Sequence, residues 1–177
     1  MSREVRVVVL FEDSAHSKFI RRLVARLKLV PVRFIPCRDS TGVLRAMVDE
    51  VNVLREKRHQ KNLGLVVVID ADGGGLSGRR KELLALIEKV DGGPRGEDER
   101  VALVVPALEI ENWYVFLCCP EERPIDETRD YKPSPAWKKL DKDLAAAARK
   151  AVDAWTEPGR EDPPSLVEAR LELGRVS

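Results

Sequence analysis

Apolar runs of strand length alternate with amphipathic stretches of helix length through the first two thirds of the chain. Four apolar runs predict β-strands over residues 5–11, 31–36, 63–69 and 101–105. Apolar residues that recur every three or four positions predict a helix after each strand, over 14–28, 40–58, around 83–87, and 109–118. This alternation predicts an α/β fold, with a parallel sheet of about four strands flanked by helices.

The pattern changes after Pro120. It predicts a proline-rich loop, a long helix, a Pro/Gly-rich connection and a short final helix, over residues 120–136, 137–155, 156–164 and 165–174. Ser165 and Glu168 have the spacing of a capping box for the final helix. We therefore predict one α/β domain over 1–119, with a loop and a C-terminal helical extension over 120–177 packed on the same domain.

Small polar residues and glycines mark where the earlier helices begin. Ser14 is placed to cap the first helix, and Ser40 or Thr41 to open the second. Gly73–Gly75 and Gly78 predict a flexible loop before the third helix, where a phosphate could approach the backbone closely.

Composition narrows the class of protein without indicating an activity. The 177 residues suit a single domain, and a formal net charge of +1 does not by itself indicate a nucleic-acid-binding protein. Cys37, Cys118 and Cys119 are too few for a disulfide framework, which together with the absence of a recognisable signal peptide favours the cytoplasm. Because no apolar stretch could span a bilayer, we expect no membrane partner.

Acidic residues follow three of the predicted strands, namely Glu12 and Asp13, Asp70 and Asp72, and Glu109 and Glu111. The carboxyl ends of parallel strands meet at one edge of a sheet, where ligands bind. Carboxylates gathered there repel one another unless they are protonated or bridged by a cation, and Mg²⁺ prefers oxygen ligands. The sequence therefore predicts a metal site built from distant segments.

Each acidic pair also has an ordinary structural explanation. Asp13 complements the dipole of the following helix, although this explains Glu12 less well. Asp70 and Asp72 lie in a turn-like segment, and Glu109 and Glu111 lie where a helix begins. Their shared position after strands is what favours a site.

Three segments carry a resemblance to a known family, Val7–Glu12, Val67–Gly73 and Pro106–Trp113. They resemble the TOPRIM fold of topoisomerases, primases and OLD-type nucleases, and above all small uncharacterised TOPRIM-like proteins. The resemblance covers about residues 5–118. It implies a Rossmann-like TOPRIM sheet and phosphodiester hydrolysis that depends on Mg²⁺ or Mn²⁺, hence a nuclease.

The resemblance also implies roles for individual residues. Asp70 and Asp72 would hold the metal, and Glu12 would be a further ligand or a general acid/base, so that these three are the catalytic residues. Glu111, together with Glu109, would complete a second metal position. One or two divalent ions stabilise charge on phosphate oxygens and supply a water of low pKa.

The chain departs from the family pattern beside the first glutamate. Asp13 stands where many members have glycine, and it would crowd the backbone or add a ligand. Ser14, His16 and Ser17 occupy the region where a second acid often follows. We expect His16 to be a solvent-exposed neighbour of the helix cap, with a role as proton carrier as the alternative.

Basic residues near these segments are candidates for contacts with nucleic acid. Lys18 and Arg22 lie on one stripe of the first helix, which an ordinary solvated face explains equally well. Arg79, Arg80 and Lys81 follow the glycine loop and are the stronger candidates for phosphate contacts.

The expected partner is DNA or RNA, and the chain is compatible with a homo-oligomer. The resemblance adds an ATPase partner chain, because related small proteins are often encoded beside an ATPase and some act in prokaryotic defence against phage. No GxxxxGK[ST] loop is present, so control by a nucleotide would need such a partner.

Two other functions stay open. A receiver-like phosphoacceptor domain would also place Glu12 and Asp13 after the first strand and Asp70 after the third, but it needs a Thr or Ser after the next strand and a Lys after a fifth. After Val105 this chain has proline, alanine and leucine. A non-catalytic TOPRIM-like interaction subunit would keep the sheet and lose the chemistry, and Asp13 favours it.

Overall fold

The computed structural model describes residues 4–157, 159 and 162–177. Within these residues the chain forms one parallel sheet of four strands in the order β2-β1-β3-β4, flanked by seven α-helices. The strands are β1 Arg6–Phe11, β2 Val30–Pro36, β3 Leu63–Val68 and β4 Val101–Val104. The helices are α1 Ser14–Arg26, α2 Ser40–Glu56, α3 Gly75–Glu88, α4 Ile110–Cys118, α5 Pro135–Asp141, α6 Leu144–Trp155 and α7 Pro164–Leu173. The predicted α/β class with about four parallel strands is confirmed.

The central strands β1 and β3 lie side by side, with Val9 opposite Val66 and Leu10 opposite Val67. Both strands are almost completely buried, because helices cover both faces of the sheet. Since the two strands are parallel and in register, the residues that follow them emerge together at one edge.

Each face of the sheet has its own apolar core. Helices α2 and α3 cover one face, and α1 and α4 cover the other, where the C-terminal helices join the same buried cluster. Phe19 of α1 is completely buried, with ring centroids 6.0 Å from Trp113 and 5.6 Å from Trp155. This aromatic contact ties the segment after residue 120 to the sheet domain.

Helix α7 covers the edge strand β4. The amide N–H of Leu103 donates to Oε2 of Glu172 over 2.9 Å, and the buried guanidinium of Arg95 pairs with the same carboxylate at 2.5 Å. Arg80 of α3 also pairs with Glu172, at 2.8 Å. A carboxylate thus satisfies a backbone donor that an edge strand would otherwise leave open.

The helix caps differ from those predicted. Asp13, and not Ser14, caps α1, since its carboxylate accepts hydrogen bonds from the N–H groups of Ala15 and His16. Asp39 caps α2 in the same way, in place of Ser40 or Thr41. In both cases the aspartate is the last residue with extended backbone, which is the position that a capping side chain needs.

The glycine loop is shorter than predicted. A 3₁₀ turn over Asp72–Gly74 leads directly into α3, which begins at Gly75 and includes Gly78. Leu76 packs against the buried cluster on the face of the sheet that α2 and α3 cover. This contact stabilises the first turn of α3, which begins earlier than predicted.

The C-terminal segment also corrects two predictions. The helix predicted over 137–155 is divided into α5 and α6, because Asp143 caps a new helix through the N–H of Ala146. Ser165 is not a cap, because α7 begins at Pro164 and the Ser165 hydroxyl is buried against the indole N–H of Trp113 at 2.7 Å. The connection predicted over 156–164 lies partly outside the described residues.

No helix among the described residues is long and apolar enough to cross a membrane.

Candidate metal centre

The carboxyl ends of β1 and β3 bring Glu12 and Asp70 into direct contact. Oε1 of Glu12 accepts a hydrogen bond from the backbone N–H of Asp70 over 2.9 Å, although 58 residues separate the two. Asp70 is buried and Glu12 is half-buried. Burial raises the pKa of Glu12, and the neighbouring negative charge of Asp70 raises it further. The hydrogen bond from the Asp70 N–H lowers the same pKa but does not cancel these effects.

His16 is completely buried beside these carboxylates, so the prediction that it is solvent-exposed was wrong. Its Nε2 lies 3.0 Å from Oδ1 of Asp70, and its Nδ1 lies 2.9 Å from Oδ1 of Asp13. The cap at Asp13 starts α1 immediately after β1, which turns the first helical turn toward the end of β3. His16 also shares the spacing of buried Phe19 and Leu23, and that periodicity was the signal for its burial.

The two carboxylates determine the protonation of His16. Burial alone would lower the pKa of His16, but the hydrogen bonds to Asp13 and Asp70 outweigh it and raise the pKa to about 10. In turn, His16 lowers the pKa of Asp13 to about 2, against the effect of burial on that carboxylate. The imidazolium is therefore a positive charge held between two acids.

Glu12, His16 and Asp70 form a cluster that could hold a cation. Each offers one ligand atom, and these atoms all lie within 4.8 Å of one another. Two carboxylates and one imidazole are a donor set that divalent ions accept. The sequence predicted two of these three residues as ligands and missed His16.

Asp72 lies at the border of this cluster. Its side chain is 55 % exposed and pairs with Arg79 at 2.7 Å, while the same guanidinium donates to the backbone carbonyl of Asp70 over 2.9 Å. The φ angle of Asp72 is 50°, and its N–H donates to the carbonyl of Leu108. Arg79 thus braces the turn that carries both aspartates.

Glu109 is the residue before α4, and Glu111 lies in the first turn of that helix. Glu111 is 4 % exposed, and burial, helped by the charges of Asp70 and Asp13, raises its pKa to about 7. Burial also raises the pKa of Glu109. Among the described residues, one buried oxygen of each glutamate, Oε2, has no hydrogen-bond partner.

Lys132 supplies a positive charge that the sequence did not indicate. Its Nζ lies 3.0 Å from Oε1 of Glu109 and 3.8 Å from Oε1 of Glu111. The lysine comes from the loop before α5, and no local pattern places that loop over the start of α4.

The residues predicted to contact nucleic acid differ in their surroundings. Lys18 and Lys81 are exposed and Arg22 is half-buried. Arg79 pairs with Asp72, and Arg80 pairs with carboxylates of α7. Both arginines thus already have acidic partners within the chain, and contact with phosphate stays a prediction for all five.

Comparisons with protein-family models, with curated proteins and with solved structures give no match to this chain. The resemblance to TOPRIM proteins therefore stays a prediction from three short segments.

Proposed function

We propose that the protein is a TOPRIM-like phosphodiester hydrolase, a nuclease that uses Mg²⁺ or Mn²⁺ at the edge formed by β1 and β3. The observation that carries this proposal is the direct contact between Glu12 and Asp70, two acids from distant segments, beside His16. The parallel topology places these side chains at the carboxyl ends of β1 and β3, where ligands bind in such sheets.

The chemistry of the donor atoms fits a divalent cation. Glu12 and Asp70 offer carboxylate oxygens, and the buried Oε2 of Glu111 has no partner among the described residues. His16 pairs with Asp70, and Lys132 lies 3.8 Å from Oε1 of Glu111, so a bound ion would take over part of the positive charge that these side chains now supply. A bound divalent ion would stabilise charge on a scissile phosphate and supply a water of low pKa.

The side chains divide the remaining work. Glu12 and Asp70 would bind the ion, and Asp72 would contribute an oxygen once Arg79 releases it. Glu111 has a pKa near 7, so Oε2 could accept or return a proton at neutral pH. Lys18, Arg22 and Lys81 would approach the phosphates of DNA or RNA. The ATPase partner and the role in phage defence rest on the TOPRIM resemblance alone.

The test is cleavage of plasmid and single-stranded substrates with Mg²⁺ or Mn²⁺. Loss of a metal ligand commonly abolishes such activity, so Glu12→Gln and Asp70→Asn should each reduce the rate by about 100-fold or more. Glu56→Gln is the matched control, because Glu56 is an exposed glutamate at the end of α2. The chain reaches it before β3 begins, whereas Asp70 follows the other end of that strand. Cleavage that persists in both site variants would contradict the proposal.

A non-catalytic interaction domain is the second candidate, and His16 favours it. An imidazolium between Asp13 and Asp70 already balances charge, so the cluster could be stable without a metal. This candidate predicts that Mg²⁺ and Mn²⁺ leave the melting temperature unchanged. A receiver-like domain is less favoured, because the described residues contain no fifth strand. It would require that acetyl phosphate transfer its phosphoryl group to the carboxylate of Asp70, with release of acetate.

A further inference from the structure

His16 has the arrangement of a metal-binding histidine. The two ring nitrogens have different partners, with Nδ1 2.9 Å from Asp13 and Nε2 3.0 Å from Asp70. Asp13 is itself fixed, because the same Oδ1 accepts from the N–H groups of Ala15 and His16 at the start of α1. A carboxylate that accepts from Nδ1–H fixes the ring so that Nε2 is directed at the opposite side, where a cation can take the place of the Nε2 proton. That side is the cluster of Glu12 and Asp70.

The spacing of the donor atoms agrees with shared coordination. Two ligand atoms on adjacent corners of an octahedron with bonds of about 2.1 Å are about 3.0 Å apart. Nε2 of His16 and Oδ1 of Asp70 have this separation, and an atom of Glu12 lies within 4.8 Å of both. A cation that binds here replaces the Nε2 proton, so the positive charge between the carboxylates is exchanged for that of the ion.

We propose that Glu12, His16 and Asp70 form a mixed nitrogen–oxygen site that selects a first-row transition ion such as Mn²⁺ or Co²⁺ over Mg²⁺, with Asp13 as the positioning residue for His16. This inference deepens the proposed function by naming its cation. Imidazole nitrogen suits transition ions, whereas Mg²⁺ prefers oxygen ligands throughout. His16 is completely buried, so its ring is already held beside the two carboxylates.

The experiment compares Mg²⁺, Mn²⁺ and Co²⁺ by calorimetric titration of the metal-free protein. The wild type should bind Co²⁺ at least about 10-fold more tightly than Mg²⁺, with Mn²⁺ between them. In His16→Gln this preference should fall by about 10-fold or more, because an amide oxygen replaces the nitrogen. Asp13→Asn keeps a capping oxygen and should weaken Co²⁺ binding by about 10–100-fold through His16.

The matched control is His59→Gln, since His59 is the other histidine of the chain and is exposed before β3 begins. This variant should keep the wild-type preference. Pulsed electron paramagnetic resonance of the Mn²⁺ complex of the wild type gives an independent readout that needs no variant to fold. A directly bound imidazole should produce a ¹⁴N coupling, which His59→Gln retains and His16→Gln loses.

Two results would overturn the inference: a wild-type Mn²⁺ complex without ¹⁴N coupling, or equal Co²⁺ preference in the wild type and His16→Gln. Neither depends on catalysis. Cleavage by a wild-type protein whose Mn²⁺ complex shows no ¹⁴N coupling would leave the nuclease proposal intact while this inference fails. Binding of Mn²⁺ through His16 without any cleavage would support this inference and contradict the nuclease proposal.

Discussion

Truncation of Glu172 is the sharpest test of how the C-terminal helix is held on the sheet. The carboxylate is 4 % exposed and is shared by three groups, the Leu103 N–H at 2.9 Å and the guanidinium groups of Arg95 and Arg80 at 2.5 and 2.8 Å. Glu172→Ala leaves the 7 %-exposed Arg95 side chain without its charge partner. Removal of one partner from a buried ion pair costs about 3–5 kcal/mol.

The expected loss is large enough to measure by calorimetry. A domain of this size loses about 2–4 °C of melting temperature per kcal/mol, which gives a decrease of about 6–20 °C for Glu172→Ala. Glu168→Ala is the control, because Glu168 lies on the same helix as Glu172 and also pairs with Arg80 of α3. Its side chain, however, is 34 % exposed. Exposed pairs contribute about 0–1 kcal/mol, so the control should lose a few degrees at most.

The comparison has a clear negative outcome. If Glu172→Ala and Glu168→Ala lower the melting temperature equally, the buried carboxylate does not hold α7 against β4. The reasoning would also fail if the double variant Glu172→Leu with Arg95→Met were no more stable than Glu172→Ala, since paired apolar replacement removes the unpaired charge.

Three further predictions concern pH, capping and packing. Burial alone would raise the pKa of Glu172, but hydrogen bonds from Arg95, Leu103 and Arg80 hold it below its usual 4.5. The contribution of Glu172 to stability is therefore present above pH 4.5 and is lost as the pH falls through the lowered pKa. The difference in melting temperature between the wild type and Glu172→Gln should therefore shrink from about pH 6 to about pH 3, and a constant difference would contradict this assignment. Asp13→Ala should lower the free energy of unfolding in urea by at least about 1–2 kcal/mol, because it removes both the helix cap and a charge partner of buried His16, whereas Ser14→Ala should change it little. Phe19→Ala should cost about 3–5 kcal/mol, and a cost below 1 kcal/mol would contradict its place in the aromatic contact between α1 and α6.

The sequence predicted the sheet well because the relevant signals are local. The apolar runs that became β1 and β3 are long enough to be read without tertiary information, and the acids that follow them were placed by the parallel topology. The contact between Glu12 and Asp70 is consistent with that prediction. The division of the helix over 137–155 was missed, because helix formers continue on both sides of Asp143.

Other features depend on tertiary contacts that no local pattern records. Lys132 reaches Glu109 from a loop, and Arg80 reaches Glu172 across 92 residues. His16 is a different case, since its helical spacing with Phe19 was a signal of burial, but its polarity led us to predict an exposed neighbour of the cap. For a histidine near a helix start, its place on the apolar face is therefore a better indicator of burial than its closeness to the cap.

The most direct test of the shared cation site is anomalous diffraction from crystals of the full chain soaked in Mn²⁺. The account predicts a single peak that lies about 2.1–2.2 Å from a carboxylate oxygen of Glu12 and at the same distance from a carboxylate oxygen of Asp70. This is the bond length expected for an octahedral divalent ion, about 2.1 Å. A peak at another position, or one at Asp70 with Glu12 still bonded only to the Asp70 N–H, would contradict the account.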